Sequence, residues 1–295
     1  MTGTGKSPKS PRRTPYGSPI AFLYFIIAQA QGKRKGGPQK CCRAAAILTP
    51  APSYFTMNTK GVFTMSRDSI KMVAMLTMLI NHIANVFLPA GQPLTNLCLC
   101  IGYFTAVTMC FFLVEGYGCT RSKRRYAGRL LGFAVLAQLP YQLAFPANGI
   151  AGFVQFNMLF TLLLCFLVLL VQEKIRDRVL RGVCIVLLIC ASLFCDWALL
   201  APVFTLLFAW AGGNRTRQKA AFGAAALLYG GMAGLGSGQV WEAVGCAVPI
   251  LVSAFVILYL YNGRRAARGR TFYKWFFYAF YPAHLLVLGL LRLAV

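Results

Sequence analysis

From Ser66 to the carboxyl end the chain is a series of apolar stretches parted by short breaks, and Lys and Arg occupy only every second break. Stretches near 69–88, 95–118, 127–145, 152–171, 180–195, 197–211, 219–235, 241–261 and 272–293 each predict a helix, several of them close to the shortest length that crosses a bilayer. Five basic residues lie in Arg121–Arg129, four in Lys174–Arg181, three in Arg215–Lys219 and five in Arg264–Lys274. The breaks near 89–94, 146–151, at Asp196 and near 236–240 hold none. With the twelve found up to Lys71, one side of the predicted membrane collects 29 of the 30 Lys and Arg, leaving only Arg292. Such residues concentrate on the cytoplasmic side, so the pattern predicts a cytoplasmic amino terminus and an outer carboxyl terminus. The fold expected is an all-α, polytopic transmembrane helix bundle of about nine spans, within a range of eight to ten. Stretches five and six also fit a broken helical hairpin that does not fully cross, which would leave the remaining topology unchanged.

Hydrophobic residues make up 58% of the chain and charged residues 12%, far more apolar surface than one soluble core can bury. The net charge of +24 would suggest nucleic acid in a soluble protein. Here the basic residues sit between spans and no basic domain stands apart, so membrane lipid is the expected surrounding and nucleic acid is not a partner. Nine of the 11 cysteines lie in or beside apolar stretches and are expected to pack as small hydrophobes. Adjacent Cys41 and Cys42 lack a second Cys or His pair at ligand spacing, so neither a metal site nor a disulfide framework is expected.

Two domains follow from the composition. Residues 1–64 are rich in Lys, Arg, Pro, Gly and Ser, with one apolar stretch, Ile20 to Ala30, too short to span. It imitates a signal peptide, but the basic GKRKGGPQK behind it would then have to be exported. The expectation is a disordered cytoplasmic extension, or a start codon placed too far upstream with translation beginning at Met57 or Met65. Residues 65–295 form the transmembrane domain.

The chain has only two histidines, His82 and His284, each inside an apolar stretch. Ionisable groups are costly at that depth, which makes both functional candidates. At 1.5 Å per residue His82 lies roughly 20 Å and His284 about 18 Å from the cytoplasmic start of their helices. Both are therefore in the outer half, in the layer of Asp196, which the turn CDW carries. That layer offers a base, a second imidazole and a carboxylate able to orient one of them. Among the other acids, Asp68 in SRDS is placed to cap the first helix, and Glu173 and Asp177 fall in a solvated basic patch. Glu115, near the cytoplasmic end of the second span, should face the interior and find a donor. Glu242 begins the eighth stretch, where a helix amino terminus favours its charge. The run TRSKRRYAGR at 120–129 fits positive-inside anchoring, and also capture of an anion by guanidinium groups.

The blocks IKMVAMLTMLINHIANVFLP, FFLVEGYGCTRSKRRYAGRLLGFAVLAQLPYQLAF, FNMLFTLLL, DWALLAP and FFYAFYPAHLLVL, in that order over most of 69–291, resemble the TraX family. That family is named for a membrane protein that acetylates the amino terminus of conjugative pilin, and it is similar to wider membrane acyltransferase families that draw on acyl-coenzyme A. The resemblance marks His82, Glu115, Gly116, Arg129, Pro140, Asn157, Asp196, Trp197, Tyr281, Pro282 and His284 as family-motif residues. It implies a multi-pass protein of the bacterial cytoplasmic membrane. One departure stands out: the family reads Asp-His in the first span where this chain has Asn81 before His82. Asn81 cannot ionise, so a carboxylate beside His82 would have to come from elsewhere, with Asp196 the candidate.

The resemblance implies transfer of an acetyl group from acetyl-coenzyme A to an acceptor amine or hydroxyl at the outer side. His82 would act as general base or carry the acetyl group transiently. His284 and Asp196 would position it, and Arg125 and Arg129 would hold the coenzyme A phosphates. The acceptor is open between a pilin-like peptide, a glycan and a lipid, and no metal is implied. A transporter or channel using the same ionisable groups is the alternative, though the two halves show no internal repeat of the kind transporters often carry. A non-catalytic assembly factor for a surface structure is the other.

Overall fold

In the computed structural model the described residues are 55–57, 63–146, 149–150, 153–266 and 269–294. All belong to one unit of the chain, Lys35–Val295. Most of the extension expected over 1–64 lies outside them. Strand β1 (Phe55–Met57) pairs antiparallel with β2 (Phe63–Met65), Phe55 opposite Met65.

Nine α-helices follow among the described residues: α1 (Arg67–Phe87), α2 (Pro93–Cys119), α3 (Lys123–Ala144), α4 (Met158–Lys174), α5 (Arg178–Ala191), α6 (Leu200–Ala211), α7 (Arg215–Ser237), α8 (Val240–Phe255) and α9 (Arg270–Ala294). Polar residues in the breaks start them. The side chains of Ser66, Ser122, Asn157, Asp177 and Asn214 each accept from a backbone N–H in the first turn of α1, α3, α4, α5 and α7, occupying donors that a helix start leaves orphaned. Pro93 opens α2, where its missing N–H costs nothing. The cap of α1 is thus Ser66 and not Asp68. Asp68 Oδ2 instead accepts from Ala266 N at 2.7 Å and ties the segment ahead of α9 to the start of α1.

Two segments depart from the sequence reading. The fourth helix begins at Met158 rather than near 152, because β3 (Gly149–Ile150) and β4 (Phe153–Val154) form a small hairpin there. Five helices are long and apolar enough to cross a membrane: α1, α2, α7, α8 with its π-helical turn Val256–Leu260, and α9. The other four are not among these. Helix α5 has 14 residues and α6 has 12, roughly 21 and 18 Å at 1.5 Å per residue against a hydrocarbon core of about 30 Å. A 3-10 turn, Ser192–Phe194, and an irregular tip, 195–199, join them.

Burial follows the logic of a bilayer. Large apolar side chains such as Leu139, Leu227 and Leu235 face outward, while Asn157, Thr108, Thr161, Ser192 and Ser253 are fully enclosed. Lipid solvates the first set, and the second must find partners inside. Thr108 and Ser253 hydroxyls pair at 2.9 Å between α2 and α8, and Thr77 and Thr105 at 2.8 Å between α1 and α2. Helix α2 lies at the centre, against α1, α4, α6 and α8, and α3 packs along α9. Several crossings depend on glycine, those at Gly102 and Gly289 among them. A Cβ at Gly102 would stand 2.3 Å from Asn81 Cβ, and one at Gly289 would stand 2.7 Å from Leu143 Cβ, so the backbones of α2 against α1 and of α9 against α3 approach only because those side chains are missing.

Candidate functional site

One face of α1 builds a cavity of about 940 Å³. Arg67, Lys71, Met75, Met78, His82 and Asn85 line it at steps of three or four residues, the repeat of a single helix face. The cavity therefore runs nearly the length of α1, and its ends differ in chemistry.

Six cations, Arg67, Lys71, Arg121, Arg129, Arg265 and Lys274, gather at the end formed by the start of α1, the turn after α2, the start of α3 and the start of α9. Among the described residues the only acid lining this end is Asp68, already engaged by the Ala266 amide. Arg67 is held by its Nη2, which donates to Phe112 O at 2.9 Å, and by Glu115, whose Oε2 lies 3.6 Å from its Nε. Glu115 also accepts from the Tyr261 hydroxyl at 2.6 Å, so it does face the interior and pair with donors. The π-helical turn at the end of α8 carries Tyr261 to that position, its N–H reaching Val256 O at 2.9 Å. Arg129 lies over the Tyr126 ring at 5.6 Å, and its buried Nε donates to nothing among the described residues. A buried guanidinium N–H without an acceptor, facing a cavity, suits an anionic ligand.

At the other end His82 Nδ1 lies 2.8 Å from His284 Nε2, and His284 Nδ1 lies 2.8 Å from Phe280 O, one turn earlier in α9. A carbonyl only accepts, so His284 carries its proton on Nδ1. Its neutral ring then presents Nε2 as an acceptor, and His82 Nδ1 is the donor to it. The chain of bonds leaves the lone pair of His82 on Nε2, the nitrogen free to take a proton. The two rings are near-parallel with centroids 5.1 Å apart. Both residues are buried, and His82 lines the cavity. The partner of His82 is therefore an imidazole backed by a carbonyl. No hydrogen bond joins Asp196 to either histidine among the described residues.

Asp196 nevertheless faces the same cavity, with Trp197 and Ala198, from the tip between α5 and α6. That tip is irregular backbone, partly buried and tied to its neighbours by hydrogen bonds. Phe156 N donates to Phe194 O and Asp196 N to Phe156 O, both at 2.8 Å, and the Thr161 hydroxyl donates to Asp196 O. Leu199 N donates to Ser192 Oγ at 3.0 Å. Trp197 and Leu199 hold φ of 57° and 61°, the left-handed region that non-glycine residues avoid at a cost of about 1–3 kcal/mol each. These bonds, and the packing of Trp197 against Tyr103 and Tyr229 with centroids 5.7 and 5.3 Å away, hold the tip in place. Asn157 caps α4 and donates from Nδ2 to Ala134 O and Gln138 Oε1, both at 2.8 Å, a structural role beside the tip. Asn81 donates to Leu99 O at 2.9 Å and accepts from Asn85 at 3.1 Å, bracing α1 against α2.

Of the two arginines expected to face an anion, Arg129 lines the cavity and Arg125 does not. The sequence reading passed over Arg67, Lys71, Arg265 and Lys274, which it counted only as reporters of topology. The signal was present: Arg67, Lys71 and His82 share one helical face. Eight cysteines among the described residues are free thiols, whereas Cys119 is disulfide-bonded, against the expectation of no disulfide. No group of three or more His, Cys, Asp or Glu among the described residues could hold a metal.

A relative from Dichelobacter nodosus, named "Probable fimbrial assembly protein FimC, serogroup H1", is 33% identical over 234 residues, which cover 76% of this chain and 94% of that protein. No solved structure matches the chain. The family model described as "TraX protein" matches residues 66–292, from the cap of α1 to the last turns of α9 and across both ends of the cavity. The chain is a membrane protein that belongs to the TraX family.

Proposed function

We propose that this protein is a membrane acyltransferase that moves an acetyl group from acetyl-coenzyme A to an acceptor amine or hydroxyl. The observation that carries the reading is one cavity with six cations at one end and an ordered histidine pair at the other, joined by a single face of α1. Lys71 and His82 are eleven residues apart, about 16 Å along the helix axis, a separation suited to the phosphopantetheine arm between the phosphates of coenzyme A and its thioester. Arg67, Lys71 and Arg129 would hold the phosphates. Met75, Met78 and Met109, adaptable apolar side chains, would line the arm.

In the transfer, the acceptor lone pair forms a bond to the thioester carbonyl carbon while the acceptor proton passes to His82 Nε2. The carbon–sulfur bond then breaks with its electron pair on sulfur, and the proton on His82 goes to sulfur to give the free thiol. His284 and the Phe280 carbonyl support the positive charge that His82 carries between these steps, as the orienting partner of a catalytic imidazole does. Asp196, which lines the same cavity, attracts the acceptor's N–H or O–H.

The basic breaks between helices support a cytoplasmic amino terminus in the bacterial cytoplasmic membrane, the cationic end toward acetyl-coenzyme A in the cytoplasm and His82 toward the outer side. Nine helices that start and end on these breaks favour the nine-segment order. The short α5 and α6 then act as a re-entrant hairpin whose tip lines the cavity, where irregular backbone is tolerated at membrane depth. The name of the Dichelobacter nodosus relative favours a role in fimbrial or pilus assembly, with a subunit of such a structure as acceptor; a glycan or lipid acceptor fits the cavity equally.

The test is transfer of label from acetyl-labelled acetyl-coenzyme A in membranes containing the protein, beside membranes containing His82→Ala. Incorporation that the substitution abolishes is the expected result, and the labelled product identifies the acceptor. No incorporation above empty membranes, with candidate acceptors supplied, overturns the reading in favour of a transporter or an assembly factor.

A further inference from the structure

An acyl transfer needs, besides a base, a donor for the negative charge that appears on the carbonyl oxygen, and the histidine pair supplies none. His82 Nδ1–H is committed to His284, and His284 Nδ1–H to Phe280 O. Two of the polar groups that line the cavity with His82 are already engaged. Tyr141 donates to Gln155 Oε1 at 3.1 Å, and Asn81 to Leu99 O. Tyr281 is different. Its oxygen accepts the backbone N–H of Met158 at 3.2 Å, so its own proton is still to be given, and no acceptor takes it among the described residues. The side chain is 4% exposed, lines the cavity with His82 and Met158, and packs edge-on to both imidazoles, with centroids 6.5 Å from His82 and 5.6 Å from His284.

We infer that Tyr281 is a further catalytic residue, whose hydroxyl donates a hydrogen bond to the thioester carbonyl oxygen as it becomes an oxyanion. This rests on the acyltransferase reading. Met158 is the first residue of α4, so the N–H received by the phenol oxygen comes from the positive end of a helix dipole. Drawing electron density from that oxygen makes the remaining O–H a stronger donor. The bond is made most strongly in the transition state and exchanges no proton. The carbonyl π pair moves to oxygen as the acceptor bond forms, and returns as the carbon–sulfur bond breaks. The N–H of Met158 also fixes where the hydroxyl sits before the acyl group arrives, and such preorganisation is what makes an oxyanion donor effective.

The experiment uses the full chain in membranes with labelled acetyl-coenzyme A. Tyr281→Phe should lower kcat by roughly 10²–10³-fold, the usual loss of one oxyanion donor, with KM for acetyl-coenzyme A unchanged. Because Tyr281→Phe also deprives the Met158 amide of its acceptor, fluorinated tyrosines installed at position 281 provide a second series that keeps the hydroxyl. Assayed where the phenol stays protonated, the rate should rise with phenol acidity. A wild-type kcat in Tyr281→Phe overturns the inference. So does a flat fluorotyrosine series, even beside an inactive Tyr281→Phe, since it marks a purely structural side chain. Absence of transfer by the unsubstituted protein overturns the acyltransferase reading and this inference with it, whereas failure of the Tyr281 series alone leaves that reading standing.

Discussion

The two ends of the cavity solve different problems with different economies. The cationic end has six long side chains, several of them partly exposed, and no one of them defines it. The histidine end has single buried groups, each fixed by a named bond, His82 to His284, His284 to Phe280 and Tyr281 to Met158, beside the strained Asp196–Leu199 tip held by Thr161 and Ser192. Redundant charge suits holding a flexible polyanion whose phosphates tolerate small shifts. Singular, locked geometry suits a reacting centre, where displacements of about 1 Å are costly. The comparison predicts graded losses at one end and near-total losses at the other.

The largest effect should therefore come from His82→Ala, with a fall in kcat of about 10²–10⁴-fold, the range of a lost general base. His284→Ala should cost nearly as much, because His82 would lose the acceptor that fixes its tautomer; initial rates in membranes measure both. A wild-type rate in His284→Ala would break the comparison at its strongest point. At the cationic end, Arg129→Ala should raise KM for acetyl-coenzyme A by about 10–100-fold, the equivalent of one charge-assisted hydrogen bond, with kcat little changed. Arg125→Ala, whose side chain does not line the cavity, should leave KM unaltered, and a matching rise would show that charge near the mouth matters more than placement.

Between the two ends, Gly102→Ala should lower thermal stability in detergent by about 1–3 kcal/mol, since the added methyl group overlaps Asn81 in the α1–α2 crossing. The smallest effect belongs to Glu173. Lys123, together with the Tyr117 hydroxyl, holds its exposed carboxyl below the usual range. A lowered carboxyl pKa adds stability above the unfolded-state pKa, and that stability disappears as pH falls through the folded-state value. Glu173→Gln should accordingly change stability by less than about 1 kcal/mol near neutral pH and not at all in acid, measured by melting at both.

The helices were legible because the breaks between apolar runs are short, polar and rich in capping residues: Ser66, Asn157, Asp177 and Asn214 each stand where a helix starts. The start of α4 was misplaced because Ile150, Phe153 and Val154 are as apolar as a helix interior, and only the hairpin pairing distinguishes them. Both histidines were legible as rare ionisable groups in apolar runs, but their direct contact was not, since 202 residues separate them and the contact depends on how α1 meets α9. The same limit applied to the carboxylate. Depth along the chain put Asp196 on the cavity His82 lines, and no pattern in CDW could tell a hydrogen bond to His82 from a place on the wall without one. Lys71 was hidden by its neighbours, because among so many basic residues a charge rule explained it before a helical face was considered.

The shared face of α1 also makes that helix a phase lock between substrate holding and chemistry. Eleven residues are close to three full turns, so Lys71 and His82 point the same way; inserting one residue between them would swing one end by about 100° relative to the other while lengthening the helix by only 1.5 Å. Changes in length within this segment are tolerable only in steps that restore the phase, so this helix should drift in residue identity far more readily than in residue count.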